Sequence, residues 1–420
     1  MKDTGIKWIG KIPNTWKIRK VKQCFYISKE KAHYTNPTIL SLARSGVKIR
    51  DISNNEGQLA ASYDNYNPVQ PGDLLLNPMD LYSGANCSVS EVSGVISPAY
   101  VNLRKAVELN PKYFDYYFKV QYWAMAMFAH GKGVSFDNRW TMNADAVLNY
   151  YIPYPSFEEQ NKIVDFINNK TKEIDKLIEI ENQQIEKLKE YKNTVITRST
   201  TKGIDLDSPT KESGVEWLGK IPTTWNVIQT KHMFNIIAGA TPDSGEVEYW
   251  DGDIKWITPA DYKSEDIFVS CGKRNISQKG YNSCSTTIIP KGNIIFSKRA
   301  PIGLVAINSD DLCTNQGCLS CVKKSGISIK FFYYQMSIMT DFYELLGSGT
   351  TFKEISAQKF GSFKLAVPSF DEQIKIANYL DEKCKEINAL IAIKQKKIDD
   401  LNEYKKSLIY EYVTGKKEVC

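Results

Sequence analysis

Residues 4–18 read TGIKWIGKIPNTWKI, and residues 213–227 read SGVEWLGKIPTTWNV. Gly5/Gly214, Trp8/Trp217, Gly10/Gly219, Pro13/Pro222 and Trp16/Trp225 coincide, which chance does not produce among such uncommon residue types. A second repeat opens at PSFEEQNKI (155–163) and PSFDEQIKI (368–376) and stays in register without a gap through Ile196 and Ile409. The period is about half the chain, so the 420 residues hold two copies of one plan: opening segment, globular part, long helix. The boundaries read as an opening segment at 1–18, a first globular domain at 19–153 and a first long helix at 154–203. A linker with the second opening segment follows at 204–227, then a second globular domain at 228–366 and a second long helix at 367–420.

The helices carry apolar residues at steps of three and four, a sustained heptad seam. In the first copy the seam includes Ile174, Ile178, Glu181, Ile185 and Leu188; in the second, Ile387, Ile391, Lys394, Ile398 and Leu401. Pro155 and Pro368 precede the helices, and Glu158/Glu159 and Asp371/Glu372 place negative charge at the positive end of each helix dipole. Two helices that each need a partner, in a chain whose halves repeat, pair most simply with each other as an antiparallel coiled coil. The globular domains then lie at its opposite ends. Glu181 stands where the other copy has Lys394, so the two are expected to meet near the middle of the rod; the alternative is that both reach to water. The fold class expected is α+β: two globular mixed α/β domains separated by two long helices, with an internal pseudo-twofold duplication.

Between the repeats the globular parts share a frame and little else. Residues 71–77, PGDLLLN, correspond to 290–297, PKGNIIFS, each a turn followed by a buried strand, and GKGVSF (131–136) corresponds to GSGTTF (347–352). Apolar content of 42% and charged content of 24% describe a folded chain. No stretch approaches the roughly 18 apolar residues of a membrane span, and the N-terminus lacks a signal-peptide core, so the cytoplasm is the expected location. The helices are slightly acidic, so the surplus behind the net charge of +6 sits in the globular parts, where a nucleic-acid surface needs it. The nine cysteines form no disulfide pattern. Cys313, Cys318 and Cys321 include a CxxC but lack a second pair or a histidine partner, so core thiols are expected and no metal.

Several motifs resemble catalytic ones and then depart from them. Residues 5–11 and 214–220 fit GxxxxGK, but Ile12 and Ile221 replace the magnesium-binding Ser/Thr and Pro13 and Pro222 interrupt the helix. NPMD at 77–80 lacks the second proline and the aromatic of an amino-methyltransferase motif, and no glycine-rich turn binds a methyl donor. Pro242-Asp243 with Glu246 and Glu248 lacks the lysine of a nuclease site. His33, His130 and His232 stand in no catalytic pattern. No catalytic residue and no bound cofactor are expected.

Taken together, the duplicated GxxWxGxxPxxW segment, the duplicated PSF[DE]EQ helix start and the dissimilar domains between them resemble the specificity (S) subunit of bacterial type I restriction-modification systems. In the second domain the resemblance also rests on GATP (239–242), YW (249–250), WITP (256–259), RAPIG (299–303) and TNQG (314–317). In the first it rests on PGD (71–73), Asn77 and SPAY (97–100). The resemblance covers essentially the whole chain. It implies that each domain reads one half of an asymmetric, interrupted duplex-DNA site and that the helices act as spacer. It also implies two modification (methyltransferase) subunits that use S-adenosylmethionine to methylate adenine N6, with restriction subunits using ATP and magnesium able to join them. The flipped adenine would enter the partner's pocket.

Polar loop residues beside the shared strands are the candidate DNA contacts. In the first domain these are Arg44, Ser45, Arg50, Asn77, Tyr82, Ser83, Asn86, Lys132 and Arg139. In the second they are Thr258, Asp261, Lys298, Arg299, Asn315, Gln316, Thr350, Thr351 and Lys353. Gly131/Gly133 and Gly347/Gly349 are expected to let backbone approach phosphate. A rival reading is a duplicated coiled-coil adaptor for a peptide or glycan, and another is a fused restriction-methylation enzyme, which would need motifs this chain lacks.

Overall fold

The computed structural model describes residues 1–28, 37–51, 62–79, 81, 87–133, 140–205, 207–299, 301–346 and 353–419. The chain divides into two compact units: residues 1–182 with 395–420, and residues 183–394. Each long helix, Phe157–Lys202 and Phe370–Val413, therefore contributes one part to each unit.

The duplicated opening segments fold alike. Gly5 and Gly214 adopt φ of +68° and +69°, and Gly10 and Gly219 adopt +65° and +56°, the left-handed conformation that a Cβ disfavours. The turns between them close through Ile9 N to Ile6 O and Leu218 N to Val215 O, at 3.0 and 3.1 Å. Each segment then forms a hairpin, Lys2–Asp3 with Lys11–Ile12 and Thr210–Glu212 with Lys220–Pro222. Next, Lys17–Lys20 pairs with Tyr151–Tyr154, and Asn226–Gln229 pairs with Lys364–Val367. The end of each globular part is thereby tied to its beginning.

Trp16 and Trp225 are fully buried, and each indole Nε1 donates to the second acidic residue of its helix start: Trp16 to Glu159 at 2.6 Å, Trp225 to Glu372 at 3.0 Å. The glutamine of the PSF[DE]EQ motif has a comparable task. Gln160 Oε1 accepts from Asn110 N and Gln373 Oε1 from Ser328 N, both at 2.9 Å, while their Nε2 groups donate to Pro155 O and Pro368 O. Asn110 and Ser328 head a third duplicated element, the aromatic helices Pro111–Trp123 and Ile329–Ser337. Tyr113 meets Trp16 edge-on as Phe331 meets Trp225, each with ring centres 6.2 Å apart. Tyr116 OH reaches Asn168 as Tyr334 OH reaches Asp381.

The central sheets agree too. In the first unit four antiparallel strands run in the order Phe25–Ile27, Val101–Lys105, Leu74–Leu76, Cys87–Val89. In the second the order Phe234–Ala238, Cys318–Lys323, Ile294–Ser297, Val305–Asn308 repeats this, and Phe268–Val269 adds a parallel fifth strand. The strands after the two turns, LLL and IIFS, are buried throughout, which is why they read as continuous apolar runs.

Along the helices the heptad positions are the covered ones: Ile174, Glu181, Ile185, Ile387 and Ile398 are buried, and Ile178, Leu188, Ile391, Lys394 and Leu401 half-buried. Within the first unit Lys405 reaches Asp175 and Lys397 reaches Glu181, each at 2.6 Å. Within the second, Lys192 donates to Asn388 at 3.0 Å and Lys394 to Gln184. In each unit one number rises as the other falls, so the paired segments run in opposite directions. Glu181, 5% exposed, takes its proton donor from Lys397, an ammonium the heptad pattern did not single out.

Candidate nucleic-acid interface

In the second unit four of the quoted motifs converge on one rim of the sheets. Trp256–Ile257 pairs in parallel with Cys313–Thr314, which sets WITP beside TNQG. Gly239 packs so closely there that a Cβ would lie 2.2 Å from Asn315 O and 2.3 Å from Thr314 O, so only glycine fits. The rest of the GATP loop is pinned by indoles: Trp256 Nε1 donates to Ala240 O at 3.0 Å and Trp250 Nε1 to Asp243 O at 3.1 Å. Thr241 Oγ1 meets Gln316 Oε1. Lys298 and Arg299 follow the buried strand Ile294–Ser297, and Lys298 N donates to Gly317 O at 2.9 Å, which joins RAPIG to TNQG.

Several candidates at this rim hold loops. Asp261 Oδ2 accepts from Thr258 N and Oγ1 at 2.8 and 2.9 Å, and Oδ1 accepts from Lys273 N at 3.0 Å. Asn315 Oδ1 accepts from Gly317 N at 2.9 Å. Lys353 is exposed. Lys298 and Arg299 share one carboxylate, Glu354, at 2.7 and 2.8 Å. The hydrogen bond from Lys298, more than burial opposes it, holds the Glu354 carboxyl below the usual carboxylate range.

In the first unit Arg44 and Ser45 lie at the tip of the hairpin Leu40–Ala43 with Gly46–Ile49, and Arg50 N donates to Ile39 O where that hairpin leaves. Lys132 is exposed and exchanges backbone hydrogen bonds with Thr141. Asn77, by contrast, is 7% exposed. Its Oδ1 accepts from Met79 N and its main-chain carbonyl from Tyr122 OH at 2.6 Å, so the side chain shapes the turn. Gly131 also has a packing reason different from the one expected: a Cβ would come within 2.5 Å of the Trp140 indole. Tyr82, Ser83, Asn86, Arg139, Thr350, Thr351, Gly347 and Gly349 lie outside the described residues.

Sequence reasoning missed Glu354 and Arg274. Arg274 lies over the Trp250 ring at 4.2 Å and contacts Asp251, whose φ is +59°. No repeated motif marked Glu354; only the structure shows that it occupies the place Thr141 has in the first copy, since Met142 N donates to Pro78 O at 2.8 Å as Ile355 N donates to Lys298 O at 3.0 Å. Cys313, Cys318 and Cys321 are buried strand residues, and burial pushes the Cys318 thiol up to about 12. Among the described residues no group of three or more His, Cys, Asp or Glu side chains is arranged to hold a metal, and no helix is long and apolar enough to cross a membrane.

Residues 222–414 match the family described as Type I restriction modification DNA specificity domain. The chain is similar to the type I restriction enzyme MjaIX specificity subunit of Methanocaldococcus jannaschii, at 40% identity over 39% of this chain and 38% of that one. It is also similar to the putative MjaX specificity subunit of the same organism, at 29% identity over 66% of this chain and 62% of that one. The matched stretches thus span less than two thirds of these relatives. Among solved structures, one from work on complex assembly and conformational transition of the type I R-M system superposes with TM-score 0.75 at 15% identity, covering 97% of this chain and all of that one. The HsdS subunit of Thermoanaerobacter tengcongensis gives 0.56 at 14% identity, covering 99% of this chain and 100% of its own. The fold is thus shared with solved chains of type I restriction-modification systems. Residues 222–414 carry the match to the type I restriction modification DNA specificity domain, and the chain is similar to type I restriction enzyme specificity subunits.

Proposed function

We propose that this chain selects the DNA site of a type I restriction-modification complex, each unit reading one half of an asymmetric, interrupted duplex sequence. The observation that carries this reading is one frame built twice with different side chains at its rim, which suits two dissimilar half-sites held at a fixed separation. The long helices serve as an antiparallel coiled-coil spacer between the readers and as the seat of two modification subunits. Exposed apolar residues support the partner assignment. Leu177, Ile180 and Tyr404 in the first unit have Leu390, Ile393 and Tyr191 as their exposed repeat counterparts in the second, a pattern that suits two copies of one partner. The chemistry belongs to the partners: S-adenosylmethionine-dependent methylation of adenine N6 in the modification subunits, and ATP- and magnesium-dependent cleavage where restriction subunits join. The complex works in the cytoplasm.

The test is to map N6-methyladenine in DNA from cells expressing the full chain with its modification subunits, alongside a variant lacking one heptad from each helix. A bipartite motif whose non-specific spacer changes in the variant while both half-sites persist is the expected result. Absence of any interrupted motif overturns the reading, and an unchanged spacer overturns the role of the helices. Duplex binding by the complex weakens steeply with salt, because counterions are released at each phosphate contact.

A further inference from the structure

Glu354 is an anion at the centre of a rim expected to face a polyanion. Its position is not accidental: backbone pairing of Arg299 with Glu354, together with the Ile355 N to Lys298 O hydrogen bond, seats it there. Each carboxylate oxygen takes one cation, Oε1 from Lys298 and Oε2 from Arg299, and the group remains one-third exposed. The pairing leaves one net positive charge where two cations alone would give two. A carboxylate there weakens attraction to phosphate, so its physical use lies in discrimination. In the first unit Met142 N donates to Pro78 O as Ile355 N does to Lys298 O, so Pro78, Met79 and Thr141 stand where Lys298, Arg299 and Glu354 stand, and Thr141 pairs with Lys132 in place of Met79.

Resting on the reading of the second unit as a DNA reader, we propose that Glu354 is a base-selecting residue. It accepts a hydrogen bond from the exocyclic amino group of a cytosine in the major groove, and it restrains Lys298 and Arg299 from gripping phosphate at any sequence. Cytosine suits a carboxylate better than adenine does, because adenine places the N7 acceptor beside its amino group, while guanine and thymine present acceptors that repel the anion. Lys298 and Arg299 fix the carboxylate and are freed for phosphate only as the base takes over part of its charge.

The experiment is binding selection from randomised duplexes by the full chain in complex with its modification subunits, at two salt concentrations, for wild type, Glu354→Gln and Glu354→Ala. Wild type selects a cytosine at one position of one half-site. Both variants lose that preference by about tenfold or more, Glu354→Gln shifting toward adenine, and bind non-cognate duplex more tightly, with the other half-site unchanged. Retention of every base preference by both variants overturns the proposal, as does an equal loss at both half-sites. A wild-type complex that selects no sequence overturns the DNA reading itself, a result distinguishable from failure of Glu354 alone.

Discussion

Just before the buried strand that follows the turn in each central sheet, Leu74–Leu76 or Ile294–Ser297, stands a residue of the same place and different chemistry. In the first unit it is Asp73, before Leu74; its carboxylate accepts from Arg104 twice at 2.9 Å, from Asn102 at 3.1 Å and from Gln70 N at 3.0 Å. In the second it is Asn293, before Ile294, whose amide donates to Pro290 O and accepts from Lys323 N, both at 2.8 Å. The strand register pairs Leu74 with Leu103 and Ile294 with Cys321, so Arg104 corresponds to Val322. An ion pair in one copy has become an amide and an apolar side chain in the other. The main-chain frame tolerates either solution, provided both members change together.

Where the frame is shared, equal substitutions should have equal effects. Trp16→Ala and Trp225→Ala each remove a buried indole and its hydrogen bond to Glu159 or Glu372, at an expected cost of about 3–5 kcal/mol. Hydrogen exchange resolves the loss by unit: Trp16→Ala should expose amides of the first unit, Trp225→Ala those of the second. A loss under about 1 kcal/mol in either unit would break the equivalence of the two latches.

Where the solutions differ, substitution should separate the units. Asp73→Asn leaves Arg104, 15% exposed, without its carboxylate and should cost about 3 kcal/mol, the lower end for a broken buried pair. Adding Arg104→Val reproduces the second unit's combination and should recover most of the loss. Denaturant unfolding of the single and double variants measures the coupling. If the double variant is as unstable as the single one, the correspondence between Asp73–Arg104 and Asn293–Val322 is wrong.

What was legible in the sequence follows the same division. The repeats and the heptad positions could be read because Gly, Trp and Pro at fixed spacing and apolar residues at steps of three and four report backbone geometry directly. The aromatic helices escaped notice because YFDYYF (113–118) and FFYYQM (331–336) share aromatic character and few identities. The rim was legible as a place, through GATP, WITP, RAPIG and TNQG, but the tasks of its side chains were not. Asp261 and Asn315 turned out to close loops through backbone amides two to twelve residues away, which the side-chain type alone does not distinguish from a DNA contact, and Glu354 to engage two cations some 55 residues away in sequence.

The finest comparison lies in the opening turns. Gly5 and Gly214 sit at φ of +68° and +69°, and a Cβ at either would meet nothing within 4 Å. Alanine there should therefore cost only the left-handed backbone, about 1–2 kcal/mol, and the same in both units. Asparagine tolerates that conformation better than alanine does, so Gly5→Asn and Gly214→Asn should each be milder than the alanine variant despite the larger side chain. Thermal unfolding of the four variants ranks them. An asparagine variant worse than its alanine counterpart would mean that space, and not φ, selects glycine there, and the two repeats would then be alike for a reason other than their turns.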